Sequence, residues 1–303
     1  MTTTPPSPGV PPDGFRLPGA THVGAVRLQV TDLGRSLAYY ERTLGLAVLE
    51  REGGAARLGP HGGGAVLVEL HEMAAELRPR ARPVRPMTRL GLYHFAILLP
   101  GRAHLGRFLA HLAALGLRPG AADHLVSEAL YLHDPDGLGI EVYADRPRES
   151  WQVGRGGELA MATDPLDLGS LIRAGGGEPW AGMPAGTVMG HVHLHVGDLG
   201  RAHDLYHDAL GLDLMVWSYP GALFLAAGGY HHHLGLNVWA GDVPPPGEEE
   251  ARLLEWELVL PDARSVAAAA ASVEKTGHPV EADGAERRLA DPWGTRLRLV
   301  AGA

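Results

Sequence analysis

The sequence predicts an α+β fold, built from four βαβββ modules that form two halves of the chain. Three observations carry this prediction: an internal repeat, segments of alternating polarity that are typical of half-buried strands, and helices that end at glycine. The chain has 303 residues and is 45% hydrophobic, which is enough apolar sequence for a sizeable core.

The internal repeat relates residues 31–46, TDLGRSLAYYERTLGL, to residues 197–212, GDLGRAHDLYHDALGL. The offset is 166 throughout, and 8 of the 16 positions are identical. Each copy follows an alternating segment, VGAVRLQV or MGHVHLHV, which predicts a strand. Asp32 and Asp198 are the predicted N-caps of the helices that follow, and LGL marks each helix end.

A fainter copy follows within each half, at residues 91–117 and 253–277, and each leads to an Asp-Pro turn. Two modules per half are therefore expected. A short helix is predicted to start at Asp164-Pro165 in the Gly- and Pro-rich connection. The predicted organisation is a Pro-rich tail at residues 1–20, an N-terminal half at 21–147, a connecting segment at 148–186 and a C-terminal half at 187–303.

The composition excludes several classes of function. The chain contains no cysteine, so disulfides, thiolate metal sites and a cysteine nucleophile are ruled out. Its net charge of −9 is spread along the chain without a basic run, which argues against a nucleic-acid partner. No apolar stretch approaches the roughly 20 residues of a membrane helix, and the tail does not resemble a signal peptide. We expect a cytoplasmic protein.

These features resemble the vicinal oxygen chelate superfamily, which includes glyoxalase I, bleomycin-resistance proteins and extradiol dioxygenases. The resemblance covers about residues 21–145 and 187–301, through DLxRxxxFY…LGL-type helices and DPxG…E final strands. The motifs GLYHFAILLP, DHLVSEALYLHDPDGLGIEVYADRP, MATDPLD and GGYHHHLGLNVW resemble its two-half, catechol 2,3-dioxygenase-like branch. The resemblance implies a fold made of paired modules and a metal site inside it.

In this superfamily the metal ligands are a His early on a module's first strand and a Glu on a last strand. The second and third modules keep this pattern with His94, Glu141 and His191, whereas the equivalent positions of the first and fourth modules are Ala25, Glu255 and Arg298. Strand alternation directs Phe95, Ile97 and Leu99 to the helices and His94 to the opposite face. We therefore predict one metal site built across the two halves. His193 shares the predicted face and is an alternative to His191.

Two histidines and one carboxylate with open positions suit non-haem Fe(II), with Mn(II) or another divalent metal as alternatives. Glyoxalase I sites resemble a four-ligand pattern with two Glu. The shared G-[IL]-x-V-[YW] pattern puts Asn237 at the position of the fourth ligand, and an amide is a poor ligand for a divalent cation.

The run His231-His232-His233 holds the candidates for acid–base catalysis. A His within a His-His pair on this strand resembles the general acid–base residue of extradiol dioxygenases. Strand parity from Asn237 favours His233, whereas a looser match of HHLGL to the family favours His232, so both stay open.

Three further residues complete the predicted site. Tyr131 lies ten residues before Glu141, a spacing that resembles the active-site Tyr of the family. His124 is a candidate behind it, and Trp239 could line a pocket for an aromatic ring.

The predicted function is an Fe(II)-dependent extradiol dioxygenase that acts on a catechol-like vicinal diol and O₂. One alternative is a glyoxalase-like lyase or isomerase of the same fold that uses another divalent metal. The other is a non-catalytic, bleomycin-resistance-like binder of small molecules. No nucleic acid or membrane is expected as a partner, and a homo-oligomer is a possible state.

Overall fold

The computed structural model describes residues 8–302 as sixteen strands and five α-helices. All four modules have the predicted order βαβββ. The first comprises β1 (His22–Val30), α1 (Leu33–Tyr39), β2 (Ala47–Glu52), β3 (Ala55–Gly59) and β4 (Val68–Glu72). The second comprises β5 (Gly91–Leu98), α2 (Arg102–Ala114), β6 (Gly120–Asp123), β7 (Ser127–His133) and β8 (Gly139–Asp145).

The second half repeats this order after a connection that holds one helix, α3 (Leu168–Ala174). The third module comprises β9 (Val188–His195), α4 (Leu199–His203), β10 (Asp213–Val216), β11 (Ala222–Ala226) and β12 (Leu234–Asn237). The fourth comprises β13 (Arg252–Leu260), α5 (Ala263–Lys275), β14 (Glu281–Asp283), β15 (Glu286–Ala290) and β16 (Arg296–Ala301).

Each eight-stranded sheet combines one module from each half of the chain. The first and fourth modules form the sheet β14-β15-β16-β13-β1-β4-β3-β2, and the second and third form β10-β11-β12-β9-β5-β8-β7-β6. The antiparallel pairs β1/β13 and β5/β9 lie at the centres of the two sheets. The two halves are therefore joined by backbone hydrogen bonds within both sheets.

The repeated helices form for the reasons that the sequence indicated. The Asp32 carboxylate accepts a hydrogen bond from the backbone N–H of Arg35, and Asp198 does the same for Arg201, each at 2.8 Å. Both helices then widen into a π-helical turn, at Tyr40–Leu44 and at Asp204–Ala209. Gly45 ends the first of these turns in the left-handed conformation, with φ of 80°.

The connecting segment corrects one prediction. Its helix begins at Leu168 with Asp167 as N-cap, not at Asp164-Pro165. Asp167 accepts a hydrogen bond from the backbone N–H of Ser170 at 2.8 Å. Asp164 instead pairs through its backbone with Asp123, at the edge of β6, and this bridge holds Asp164 in an extended conformation.

The tail predicted at residues 1–20 lies partly outside the described residues. Its remaining part packs on the third module: Val10 bridges to Leu214, and Arg16 forms an ion pair with the buried Asp213 at 2.7 Å. Across residues 8–302, no helix has the length and apolar character needed to cross a membrane.

The main core lies between the helices and the outer faces of the sheets. Phe95, Ile97 and Leu99 belong to this core, as the alternation predicted, and so do Val192 and Leu194 on β9. Alternation then directs the intervening histidines to the inner face of the sheet, which curls into a cup.

Candidate metal centre

Three side chains from neighbouring strands meet in the cup. His94 lies on β5, His191 on the adjacent β9 and Glu141 on β8, and all three are buried. Glu141 Oε2 is 3.1 Å from His94 Nε2 and 3.2 Å from His191 Nε2, and the two imidazole nitrogens are 3.4 Å apart. Two central strands and one flanking strand thus bring together residues from both halves of the chain.

These separations fit a shared divalent cation. Donors ~2.1 Å from one metal ion lie about 3.0 Å apart at right angles and about 3.4 Å apart at tetrahedral angles. Burial alone would raise the pKa of Glu141, but the adjacent His191 and His94 hold it well below its usual range. Burial lowers the pKa of His191 to about 4. A carboxylate and neutral imidazoles are the forms that bind metals.

The equivalent positions in the other sheet hold ion pairs instead. Arg298 occupies the position of Glu141, because it pairs with Glu257 as Glu141 pairs with Ala96. Its guanidinium contacts Glu257 and lies 3.3 Å from Glu255 Oε1. An arginine therefore fills the place that a cation would take, beside Ala25, which offers no ligand atom.

The strand register corrects the prediction for Asn237. Ala96 pairs with Glu141 between β5 and β8, and the equivalent pair between β9 and β12 is His193 with Gly235. The counterpart of Glu141 is thus Gly235, where a Cβ would lie 2.7 Å from the His193 ring. The sequence pattern matched the ends of the two strands, whereas their pairing is offset by two residues.

Asn237 instead holds two histidines in place. Its Oδ1 lies 2.6 Å from His195 Nδ1, and its Nδ2 lies 2.9 Å from His193 Nε2. His193 consequently faces the cup as predicted, with its Nε2 engaged by the amide. The histidine of β9 whose Nε2 faces Glu141 is therefore His191.

The histidine run corrects the parity argument. β12 begins only at Leu234, so residues 231–233 are not part of a regular strand and need not alternate. The His232 ring faces the cup, 4.0 Å from the ring of His191. His233 lies outside it, and its Nδ1 accepts a hydrogen bond from the backbone N–H of Ala227 at 3.1 Å.

Behind His232 lies a chain of polar contacts. His231 Nδ1 is 2.7 Å from His232 Nδ1, and His231 Nε2 is 2.9 Å from Asp145 Oδ1. His231 is fully buried, so these two contacts engage both of its ring nitrogens away from solvent. The sequence analysis included His231 only as a member of the histidine run and did not include Asp145, because nothing in the sequence joins residues 86 positions apart.

The three residues of this triad line a cavity of about 360 Å³. Most of the other predicted site residues also line it: His232, Tyr131, His124, His193 and Trp239. The Tyr131 hydroxyl is 2.5 Å from His124 Nε2, and Tyr131 is the cross-strand partner of Glu141. His233 and Asn237 are the predicted residues that do not line the cavity.

The connecting segment supplies a wall that the sequence analysis missed. Leu159 donates to the Met215 carbonyl on β10, and Asp164 pairs with Asp123 on β6, so the segment joins the two edges of the curled sheet. Thr163 Oγ1 is 2.7 Å from the Tyr219 hydroxyl. The signal available in the sequence was the motif MATDPLD. The lining residues outside the predicted site are Tyr93, Ala121, Ala122, Met161, Ala162, Thr163, Tyr219 and Phe224.

Comparisons with known proteins agree with this architecture. Residues 21–142 match the family model described as the Glyoxalase/Bleomycin resistance protein/Dioxygenase superfamily. A Bacillus subtilis (strain 168) protein named catechol-2,3-dioxygenase is 43% identical over 275 residues, which cover 90% of this chain and 94% of that protein.

Two solved structures share the fold. One is a protein of Bacillus subtilis subsp. subtilis str. 168, described provisionally as a dioxygenase, with a TM-score of 0.63, 12% identity, and coverage of 95% of this chain and 86% of that one. The other is glyoxalase I from Zea mays, with a TM-score of 0.55, 19% identity, and coverage of 93% and 92%. On the strength of the family model, the relative and the shared modules, the chain belongs to the glyoxalase/bleomycin resistance protein/dioxygenase superfamily.

Proposed function

We propose that the protein is an extradiol dioxygenase that opens the ring of a catechol-like diol with O₂ at a divalent metal, Fe(II). The observation that carries the proposal is the convergence of His94, Glu141 and His191 in the wall of an aromatic-lined cavity. The 43% identity to a protein named catechol-2,3-dioxygenase supports it.

The donor set favours iron over other divalent metals. His94, His191 and Glu141 would hold the ion and leave positions open on the cavity side, as in the two-histidine, one-carboxylate sites of non-haem Fe(II) oxygenases. A bound Fe(II) would supply the Lewis acidity that lowers the pKa of a diol and the redox chemistry that O₂ requires. Mn(II) is the alternative with similar preferences.

His232 is the residue that we assign to proton transfer. If the Asp145 carboxylate accepts the Nε2–H of His231, then His231 Nδ1 must accept the Nδ1–H of His232. This tautomer leaves His232 Nε2 as an unprotonated nitrogen. Burial lowers the pKa of His232 well below its ordinary value, so the imidazole enters the reaction neutral. It can therefore accept a proton from the diol as it binds.

Tyr131 is assigned to holding the substrate oxygens. Burial raises the pKa of its hydroxyl well above the ordinary value, and Glu141 raises it further. The hydroxyl therefore keeps its proton at neutral pH. His124 Nδ1 donates to the Ala162 carbonyl at 2.6 Å, so His124 Nε2 accepts the Tyr131 O–H at 2.5 Å. The oriented Tyr131 oxygen can then accept a hydrogen bond from a hydroxyl of the diol.

The test is a pair of measurements on protein purified without oxygen. The protein is loaded with Fe(II), Mn(II) or Zn(II), and catechol-dependent O₂ uptake is followed beside the absorbance of the ring-opened product. We expect uptake with Fe(II) in a one-to-one ratio to catechol. Turnover of a substrate without O₂ would instead assign a lyase or isomerase, and binding of a small molecule without turnover would assign a binder.

A matched pair of variants tests the metal site itself. His94→Ala should lose most of the bound metal. The fold should survive, because the hydrophobic core lies on the opposite faces of the strands. The exposed His61→Ala serves as the control and should keep the metal content of the parent. Stoichiometric metal in His94→Ala would contradict the assignment. The cytoplasmic location and the homo-oligomer stay predictions.

A further inference from the structure

We infer that the site takes an uncharged catechol that carries an apolar substituent, and that it rejects diols carrying a carboxylate. This inference deepens the proposed function and rests on it. Two observations lead to it: the charges of the residues around the cavity, and the different sizes of the side chains that line it.

No arginine or lysine is among the described residues that line the cavity, and Glu141 is their one acidic member. A carboxylate on the substrate would be desolvated there without a cationic partner. Arg146, at the nearby edge of the sheet, is bound to Asp123 and Glu128 and is already neutralised. A charged substituent would lose its water and gain no ion pair.

The side chains that line the cavity differ in size from one module to the other. On the side of the third module, the ring of Tyr219 lies 5.7 Å from that of Phe224 and 6.3 Å from that of Trp239, which makes a continuous aromatic surface. The second module and the connecting segment contribute Ala122 and Ala162 to the lining, beside the larger side chains of Tyr131, His124 and Met161. Where alanine methyl groups form the wall, they leave space for a group larger than hydrogen on the substrate ring.

The size of the cavity agrees with a substituted ring. Its volume of about 360 Å³ falls within the ~300–1,000 Å³ range of pockets that hold ligands larger than a single ring. Met161 lies on the connecting segment and is half-buried at the cavity wall. Its flexible, polarisable side chain can pack against apolar groups of varied shape. Each methylene buried there should strengthen binding roughly fourfold.

The experiment compares two diols of the same size on the Fe(II)-loaded protein. 4-Isobutylcatechol and 3,4-dihydroxyphenylacetate have the same number of non-hydrogen atoms and differ in the charge of the substituent. We expect kcat/KM for 4-isobutylcatechol to exceed that for catechol at least tenfold and that for the carboxylate at least a hundredfold. A preference of less than tenfold over the carboxylate, or a kcat/KM no higher than for catechol, would overturn the inference.

Dissociation constants measured without O₂ separate this inference from the proposed function. If no diol is cleaved but the same order of affinity is found, the proposed function fails and the preference stands. If both diols are cleaved equally, the dioxygenase stands and the preference fails. The preference should also be reversible: Met161→Arg should raise kcat/KM for the carboxylate at least tenfold, whereas the uncharged control Met161→Leu should keep the order of the parent.

Discussion

At the scale of single residues, adjacent histidines have different environments. His232 faces the cup against His191, whereas His233 is turned to the backbone of Ala227. We expect His232→Ala to keep its metal and to lose kcat by roughly 10²–10⁴, the usual effect of removing a general acid–base group. His233→Ala is the matched control and should keep kcat within about twofold.

Metal content and kcat of both variants check this prediction. The opposite order, with His233→Ala inactive and His232→Ala active, would mean that the strand continues through the run and that parity holds. Loss of metal from His232→Ala would make His232 a ligand and the triad incomplete.

Asp145 is expected to act through the tautomer of His231. Asp145→Asn replaces an acceptor with a group whose amide can donate to His231 Nε2. The hydrogen bonds from residue 145 through His231 to His232 then reverse direction. His232 Nε2 carries a hydrogen where it had carried a lone pair. We expect kcat to fall roughly 10-fold or more, since a wrong tautomer is known to be costly in catalytic triads, while KM and metal content stay as in the parent. An unchanged kcat would exclude this role.

At the scale of elements, the sequence could predict that His94, Glu141 and His191 meet on β5, β8 and β9, but not how the residues around β12 lie. The core-facing Phe95, Ile97 and Val192 fix which face of each long strand is buried against the helices, and the opposite face follows by alternation. β12 has four residues, so parity counted from Asn237 does not extend to His233. Pairing between β9 and β12, which sets Gly235 opposite His193, depends on a register that no single strand encodes.

The two sheets also use the same inner positions for different purposes. In one sheet these positions hold the proposed metal ligands, and in the other they hold arginine and carboxylate side chains around Arg298 and Glu255. Arg298→Met removes the guanidinium that contacts the carboxylates of Glu255 and Glu257. Glu255 is buried and Glu257 is mostly buried. We expect it to lower the free energy of unfolding by roughly 3 kcal/mol, with no change in bound metal.

Urea unfolding beside metal analysis measures both effects. The exposed Arg296→Met, on the same strand, is the control and should change the stability by less than about 0.5 kcal/mol. If Arg298→Met lost metal as His94→Ala is expected to, the two sheets would be coupled through their centres rather than independent in function.

At the scale of the whole molecule, the halves that the sequence marks by repetition are joined within both sheets. β1 pairs with β13 and β5 pairs with β9, so each half alone would expose the edges of two four-stranded sheets. The proposed metal site needs both halves as well, because His94 and Glu141 come from one half and His191 comes from the other. The repeat in the sequence records a duplication, whereas the cooperative unit is the pair of halves.

Splitting the chain tests this. Gly176 and Gly177 lie in an exposed turn after α3, where a break removes no buried contact. We expect residues 1–176 and 177–303, expressed separately, to lack a cooperative unfolding transition and to bind no stoichiometric metal. When the two fragments are co-expressed, we expect the cooperative unfolding transition and the metal binding to return, because the central strand pairs can then form. Thermal unfolding followed by circular dichroism, together with metal analysis, measures the outcome. If the fragment of residues 1–176 unfolds cooperatively as a monomer, each half is instead an autonomous domain. The sheets then join two units that have already folded.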